Sequence, residues 1–388
     1  MLQNYFGDVS EWLKEHAWKA CVRSRVPRVR IPASPPDLSC IIYQIRNIYF
    51  IANMIRLKKK LLFSIFFFLI HQCKKVIRFL NKNPLLFKTK TIHIVYFGIF
   101  AAVGVFAFSS IFVFYIDAKG YTFHYSYFII FGIIFICLVV FNKIFHIFTI
   151  GRDFFSRPFF YLNQTAMYNQ SGILAVIISL LIISFLENIP LIIALDGAAF
   201  AVVAALFFGR IGCFNFGCCF GKPSNNYFTV TYTNLNSKIL RLYPELKDVA
   251  IIPTQLYSAL FNLILFILFT IIIKLLPLNG SITILFIVLY NLFRIIIESY
   301  RFNNDSIKIN FKKIAYFYLI IGLILIFIFN KFFINIFKIT AFQYNFSIQN
   351  YILFLLKNKD ALCFIILFTF LSFIYFGLHG KKLGRHFN

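Results

Sequence analysis

The chain alternates long apolar stretches with short polar segments, a pattern that predicts helices crossing a membrane. A window of about twenty apolar residues is needed to span roughly 30 Å of hydrocarbon. Such windows occur at roughly 92–116, 127–149, 172–186, 191–209, 254–273, 281–300, 314–337 and 361–378. A ninth apolar stretch, at 61–70, is too short to count with them. We therefore predict an all-α fold, a polytopic membrane helical bundle of about seven to nine transmembrane helices with a small extracytoplasmic loop region.

Composition supports a membrane protein and narrows its partners. Of 388 residues, 60% are hydrophobic and 13% are charged, which excludes an ordinary water-soluble chain. The formal charge of +26 raises the question of nucleic-acid binding. However, the positive residues cluster beside apolar spans, as at 56–60 and 74–90, which is typical of a cytoplasmic face next to anionic lipid. We predict membrane lipid as a partner and no nucleic acid.

Four segments follow from these patterns. Residues 1–53 form an extension that is basic and proline-rich over 1–40, and two interpretations stay open for it: a disordered basic arm, or sequence that is not native to the protein. The second rests on 29–32 (VRIP), which can be encoded by the T-arm of a transfer RNA gene, and it makes Met54 the more natural start. Residues 54–91 are a basic segment with a short apolar stretch. Residues 92–338 form the transmembrane bundle that carries the site, and residues 339–388 form a C-terminal extension with one more apolar helix.

The positive residues and the alternation of spans predict the side of the membrane on which each loop lies. Lysines before residue 92 place that end in the cytoplasm, so 117–125 falls outside. The amphipathic stretch 142–165 is either a poor span or an interfacial helix. If it crosses, the glycine-rich segment at 207–223 emerges on the outside.

A stripe of polar residues lies within the apolar span 281–300. Tyr290, Arg294 and Glu298 are spaced by four residues and Arg301 follows three later, so all four share one helix face. Ionisable groups at membrane depth normally face the bundle interior. The stripe is either an internal Arg–Glu pair that joins helices, or a set of donors for an anionic substrate in which Glu298 orients the Arg294 guanidinium.

The sequence FFGRIGCFNFGCCFGKP at 207–223 interrupts an apolar span with glycines, cysteines and Arg210. Irregular backbone at membrane depth must be covered by protein or line a polar cavity. Glycines here permit close backbone approach and exposed amides that bind phosphate oxygens. The alternative is that they only let helices pack closely.

The eight cysteines do not form paired C-x-x-C units, and no histidine lies between 147 and 378. This spacing argues against a metal site, so we predict none. Cys213 is spaced to form a disulfide with Cys218 or Cys219 in an oxidising compartment. Buried free thiols are the other interpretation.

Several motifs together resemble one family. GRIGCFNFGCCFG at 209–221 resembles the signature of prolipoprotein diacylglyceryl transferases, and PTQLY at 253–257 and YNLFRIIIESYR at 290–301 resemble two further motifs of that family. HYSYFIIFG at 124–132 and NQSGILAVI at 169–177 resemble its earlier motifs. Order and spacing agree over roughly residues 120–337.

The resemblance implies a multi-pass transferase of the bacterial cytoplasmic (inner) membrane. Such an enzyme moves the diacylglyceryl group of phosphatidylglycerol to the lipobox cysteine of prolipoproteins, so its partners are phosphatidylglycerol, prolipoprotein signal peptides and membrane lipid. No metal or other cofactor is implied. The alternative is a non-catalytic phospholipid-binding protein or an anionic-solute transporter on the same scaffold.

The resemblance also implies roles for individual residues. The catalytic set is Arg210, Arg294, Tyr290 and Glu298, with the two arginines on the phosphate. The substrate-binding set is Tyr125, Gln170, Gly212, Cys213, Gly221 and Arg301. Gln170 stands where the family has a histidine and cannot take a proton at neutral pH, although an attacking thiol must ionise. Cys213 and Cys218 replace an asparagine and a glutamate, so the phosphate-binding half matches while the half that handles the proton is altered.

Overall fold

The computed structural model describes residues 75–89, 92–123, 125–162, 169–225, 228–275, 279–302, 311–328 and 346–380. The expectations for the extension at 1–53, for Met54 and for the apolar stretch at 61–70 lie outside these residues. The prediction of one more apolar helix in the C-terminal extension falls within them.

Nine helices of ten or more residues make up most of the described chain. They are α1 Tyr96–Ala118, α2 Tyr127–Ile150, α3 Asn169–Glu187, α4 Leu191–Phe216, α5 Thr254–Leu275, α6 Ser281–Glu298, α7 Phe311–Ile328, α8 Ile348–Lys357 and α9 Lys359–Gly377. A further helix covers 75–82, and the short helices are Pro158–Leu162 and Lys238–Leu242, with 3₁₀ turns at Gly151–Ser156 and Pro244–Leu246. The strands are β1 Leu85–Lys88, β2 Ile92–Val95, β3 Val230–Thr231, β4 Ala250–Ile251 and β5 Leu378–Gly380.

Among the described residues, six helices are long and apolar enough to cross a membrane: α1, α2, α4, α5, α6 and α9. The apolar part of α3 is shorter, at Ser171–Glu187. Each of the eight apolar windows overlaps one of the helices α1–α7 or α9. The prediction of an all-α polytopic membrane bundle is confirmed.

Helix α1 is central because it packs against both α4 and α9. Its contact with α9 depends on two glycines, since a Cβ at Gly98 would lie 2.3 Å from the Cα of Gly377. Small residues that let backbones approach are a common way for helices to associate in membranes. Toward the other end of α1, aromatic side chains fill the core, with Phe112, Tyr115 and Phe200 fully or almost fully buried.

Contacts along α1 and α4 show that the two helices are antiparallel. The Cβ position of Gly197 meets the Tyr115 ring, while that of Gly212 meets Phe97. The beginning of α1 therefore lies beside the end of α4. The segment before α1 lies there too, because Asn215 Nδ2 donates to the carbonyls of Leu80 at 2.7 Å and Asn83 at 2.9 Å.

This arrangement corrects the assignment of sides. The lysine-rich segment at 75–89 and the glycine-rich signature lie at the same end of the bundle, so they cannot be inside and outside respectively. The reason is that 151–162 forms a 3₁₀ turn and one short helix rather than a span, which makes the crossing interpretation of 142–165 wrong. Among the described residues between Tyr125 and Glu187, the long helices are α2 and α3, and the Tyr125 amide donates to Glu187 Oε1 at 3.1 Å, so the beginning of α2 lies beside the end of α3.

Two small antiparallel sheets lie outside the helices. One has the order β1-β2-β5 and joins the beginning of α1 to the end of α9, with Ile92 opposite Gly380. The other pairs β3 with β4 in the loop between α4 and α5. A second hydrophobic core lies under this loop, built around Phe214, Tyr232, Ile239 and Ile251. It fixes the loop against the signature.

Candidate active site

Arg210 lies near the end of α4 and points into protein rather than lipid. Its side chain is 8% exposed and hydrogen-bonds with Tyr290 of α6. Burying a guanidinium is costly unless partners satisfy it, so such a group usually serves a pair or a site.

Arg294 and Arg301 meet one carboxylate on the same face of α6. Arg294 Nη2 lies 3.1 Å from Glu298 Oε2, and Arg301 Nη1 lies 3.3 Å from the same oxygen. The spacing of four and three residues produces this geometry, as the sequence predicts. Arg294 also lies close enough to Arg210 for their charges to repel. The structure therefore brings together all four residues of the predicted catalytic set.

Backbone pairing brings Arg301 to the signature. Just beyond α6, the Lys222 amide donates to the Tyr300 carbonyl at 2.9 Å, and the Phe302 amide donates to the Phe220 carbonyl at 3.1 Å. These two bonds flank Arg301 on either side. As a result the Arg301 charge acts on Cys219. The chain thus joins the end of α6 to the end of α4.

The charges of this cluster do not balance. Within the described residues, Arg294 and Arg301 pair with the carboxylate of Glu298, and Arg210 lies close to Arg294. The Arg294, Arg301 and Glu298 side chains are 12%, 17% and 5% exposed. A buried ion pair alone would need one arginine. Two positive charges are left over, in a place where water screens them poorly. We call Arg210, Tyr290, Arg294, Glu298 and Arg301 the arginine pocket.

Three cysteines lie beside the arginine pocket. The Sγ atoms of Cys213, Cys218 and Cys219 all lie within 4.8 Å of one another, and none of the three is in a disulfide. Linear spacing argued against a metal site, but the chain turns back at Gly217, whose φ of 77° ends α4. That reversal brings Cys218 and Cys219 to Cys213, which pairwise spacing does not reveal.

Hydrogen bonds and charge distinguish the two cysteines that lie beyond α4. Hydrogen bonds with Cys213 and then Cys218 lower the pKa of Cys219, and the charges of Arg301 and Arg210 act in the same direction against the effect of burial. Hydrogen bonds with Cys213 and Cys219 raise the pKa of Cys218. Cys219 is therefore the thiol beyond α4 that ionises more readily.

The two glycines of the predicted substrate-binding set have packing roles. A Cβ at Gly212 would lie 3.0 Å from Phe97 and Phe100, so this position lets α1 approach α4. The Gly221 amide donates to the Ile252 carbonyl at 3.0 Å, and a Cβ there would lie 2.5 Å from that oxygen. The Gly221 amide is thus occupied, contrary to the expectation that it binds phosphate.

The structure does not bring Tyr125 to the arginine pocket. It follows α1, at the end of the bundle where Lys119 Nζ donates to Asn279 Oδ1, opposite to Arg210. The substrate-binding role that the resemblance gives to Tyr125 therefore concerns the end of the bundle away from the pocket, and it stays a prediction. Gln170 is at the beginning of α3, at the end of the bundle away from Glu187 and hence level with the pocket, but its side chain lies outside the described residues.

Sequence reasoning missed the residues that hold the cysteine loop. Thr254 Oγ1 donates to the Cys219 carbonyl at 2.8 Å, and Gln255 Nε2 donates to the Cys218 carbonyl at 2.7 Å. Tyr232 is buried beside Gln255. The PTQLY motif marked Thr254 and Gln255 as notable, but nothing in the sequence pattern connects Tyr232 to the cysteines.

Comparison with known proteins is consistent with this geometry. The family model of prolipoprotein diacylglyceryl transferase matches residues 84–329. A phosphatidylglycerol–prolipoprotein diacylglyceryl transferase of Dehalococcoides mccartyi is 29% identical over 227 residues, which cover 58% of this chain and 85% of the relative. One of the same name from Clostridium tetani is 31% identical over 147 residues, covering 37% of this chain and 55% of the relative.

Proposed function

The chain belongs to the prolipoprotein diacylglyceryl transferase family, and we propose that its arginine pocket binds the phosphate of phosphatidylglycerol during transfer to a protein thiol. The protein is a transferase of multi-pass membrane type. Its acceptor is the lipobox cysteine of a prolipoprotein signal peptide, and its membrane is the bacterial cytoplasmic membrane.

One observation carries the assignment of the site: three largely buried guanidiniums lie close together, and Glu298 pairs with two of them, Arg294 and Arg301, through one carboxylate. A purely structural pair would leave no charge to compensate. A phosphodiester supplies one negative charge and two unesterified oxygens, which suit the planar donors of arginine. Binding the headgroup therefore satisfies donors that the protein itself leaves with positive charge.

The chemistry uses this charge at the moment of bond breaking. The acceptor thiol loses its proton to solvent, and its sulfur attacks the diacylglycerol carbon that carries the phosphate. The carbon–oxygen bond at that carbon breaks, and glycerol phosphate leaves with the electron pair. Negative charge grows on the phosphate as that bond breaks. Donors fixed in advance in a poorly solvated site stabilise such charge more than water does.

Each residue of the arginine pocket has a distinct part. Arg210 and Arg294 hold the phosphate from two different helices, and Tyr290 fixes Arg210 by a hydrogen bond. Glu298 fixes the guanidiniums of Arg294 and Arg301 through one oxygen. Because Glu298 touches the arginines, we assign it a positioning role.

The test is transfer from phosphatidylglycerol to a synthetic lipobox peptide, with the thioether measured by mass spectrometry. Arg294→Lys keeps the positive charge but loses the bidentate hydrogen bonding of a guanidinium to the phosphate. We expect kcat/KM to fall about 10²–10³-fold, the range seen when one fixed donor is removed. Arg157→Lys, at an exposed turn, is the matched control and keeps full activity.

Full activity in Arg294→Lys would refute the phosphate role. Binding of phosphatidylglycerol by the unaltered chain with no thioether product would instead favour the phospholipid-binding alternative. The two results separate the role of the arginine from the function of the protein.

A further inference from the structure

The cysteine cluster has a geometry that the phosphate chemistry does not explain. Its three Sγ atoms lie within 4.8 Å of one another. In a tetrahedral zinc site with Zn–S bonds of about 2.3 Å, sulfur atoms lie about 3.8 Å apart. The three thiols are therefore within a small inward movement of the spacing that a metal ion requires.

The loop that carries the cysteines is held in place by its surroundings. Cys219 has a φ of 58°, a left-handed conformation that favours glycine. Its carbonyl accepts from Thr254, and the Cys218 carbonyl accepts from Gln255. Unfavourable backbone conformations persist where neighbouring structure fixes them, and they concentrate at ligand sites.

We propose that Cys213, Cys218 and Cys219 bind a Zn²⁺ ion whose fourth coordination position receives the thiol of the acceptor peptide. The occupancy of the zinc site stands on the cluster alone. The arrival of the thiol rests on the proposed function.

Ligand chemistry and charge both favour zinc. Three protein ligands with one open position are typical of catalytic zinc, and thiolate ligands select soft or borderline metals. Zn²⁺ with three thiolates carries a net charge of −1. That complex sits beside Arg210 and Arg301, whose charges act on Cys219. It reduces the excess of two positive charges to one, which a single phosphodiester balances.

The ion promotes loss of the acceptor thiol's proton, which Gln170 cannot accept. Binding to zinc removes the proton of the acceptor thiol, and the thiolate is the nucleophilic form. The proton passes to solvent. The sulfur then forms a bond to the glycerol carbon while the carbon–oxygen bond to phosphate breaks, and the electron pair leaves on glycerol phosphate. The thioether product is a weaker ligand and dissociates.

The first experiment measures metal content of the full chain purified in detergent without chelator. We expect about one zinc per chain by mass spectrometry of the metal, as for a single three-thiolate site. The zinc content should fall to background in each of the variants Cys213→Ser, Cys218→Ser and Cys219→Ser. Cys363→Ser, at an exposed position of α9, keeps its zinc.

The second experiment follows the thiol. Zinc is exchanged for Co²⁺, whose absorption reports thiolate ligands and coordination geometry in the folded chain. A lipobox peptide should change the visible cobalt band, while the same peptide with serine in place of cysteine should not. Removing zinc should abolish transfer, and adding it back should restore activity.

Several results would overturn the proposal. An active enzyme without metal, or one with a disulfide from Cys213 to Cys218 or Cys219, excludes the zinc site. If the cobalt band of an active enzyme does not change when the cysteine peptide is added, the acceptor thiol is not the fourth ligand. If zinc and peptide bind as expected but no lipid is transferred, the zinc site stands and the proposed function fails.

Discussion

Helices α4 and α6 carry two buried polar clusters, one near each end, and the clusters differ in how their charges are balanced. Asp196 near the beginning of α4 meets Thr283 near the beginning of α6, whereas Arg210 meets Tyr290 further along. Fourteen residues of helix separate Asp196 from Arg210, about 21 Å at 1.5 Å per residue. The two clusters therefore lie at opposite ends of the bundle.

The Asp196 cluster is satisfied by the chain itself. Asp196 Oδ1 accepts from the Thr283 amide at 2.8 Å and from the Thr283 hydroxyl at 2.6 Å, and Oδ2 accepts from the Gly280 amide at 2.5 Å. Lys119, which directly follows α1, places a positive charge near the Asp196 carboxylate. One negative and one positive charge meet here, so nothing more is required.

The arginine pocket has the opposite property, because its positive charges exceed its negative ones. Both clusters look alike in sequence, since each is a charged residue in an apolar helix. What separates them is the count of opposite charges and donors around each one. A buried charge that its neighbours neutralise is structural, and one they leave unbalanced marks a ligand site.

The largest expected effect is on stability, at the Asp196 cluster. Asp196→Ala removes a negative charge near Lys119 and leaves three donors without their acceptor, so we expect about 3–5 kcal/mol lower free energy of unfolding. Unfolding in a denaturing detergent measures this. Folded molecules should keep unchanged kcat/KM. Asp153→Ala, at an exposed turn, is the control, and lost activity at full stability would break the distinction between the clusters.

The reverse pattern is expected at the arginine pocket. Arg210→Gln should lower kcat/KM about 10²–10³-fold, while stability stays the same or rises because like charges near Arg294 are relieved. The two measurements are the thioether assay and detergent unfolding on the same preparation. A large fall in stability would show that Arg210 is structural and would remove the contrast with Asp196.

Much of the fold could be predicted because the bilayer imposes a length on each apolar helix. The window 92–116 corresponds to Tyr96–Ala118, and 254–273 to Thr254–Leu275. The charged stripe on α6 was also predictable, since helical periodicity alone places Arg294 and Glu298 on one face.

The remainder depends on how distant segments meet. The side of the signature depended on whether 142–165 crosses the membrane, and the amphipathic pattern of that stretch fits both a poor span and an interfacial helix. The cysteine cluster requires the reversal at Gly217 and the left-handed Cys219, which no linear spacing encodes. The distance of Tyr125 from the arginine pocket could not be predicted, because a short motif match says which residues are present and not which end of the bundle they reach.

A smaller effect is expected at the support of the cysteine loop. Thr254→Val removes the hydroxyl that donates to the Cys219 carbonyl with little change in shape. Partners that orient metal ligands are worth about 10–100-fold in metal affinity, so we expect a loss in that range. Competition with a zinc chelator measures the affinity, and Thr270→Val is the matched control because the Thr270 hydroxyl donates to the Phe266 carbonyl within α5. Equal affinities in both variants would contradict a fixed loop.

The smallest expected effect is a pH dependence of the free energy of unfolding at the Asp196 cluster. Burial lowers the pKa of Lys119 to about 8 from 10.5, and Asp196 only partly opposes this. Between these values the unfolded chain binds more protons than the folded one, so the free energy of unfolding should rise as pH increases from about 8 to about 10.5. Lys119→Met should flatten this rise relative to the unaltered chain. The arginine pocket should add no slope in that range, because guanidiniums stay charged throughout. An equal slope in both chains would show that Lys119 is solvated, and the balance assigned to the Asp196 cluster would then need another cation.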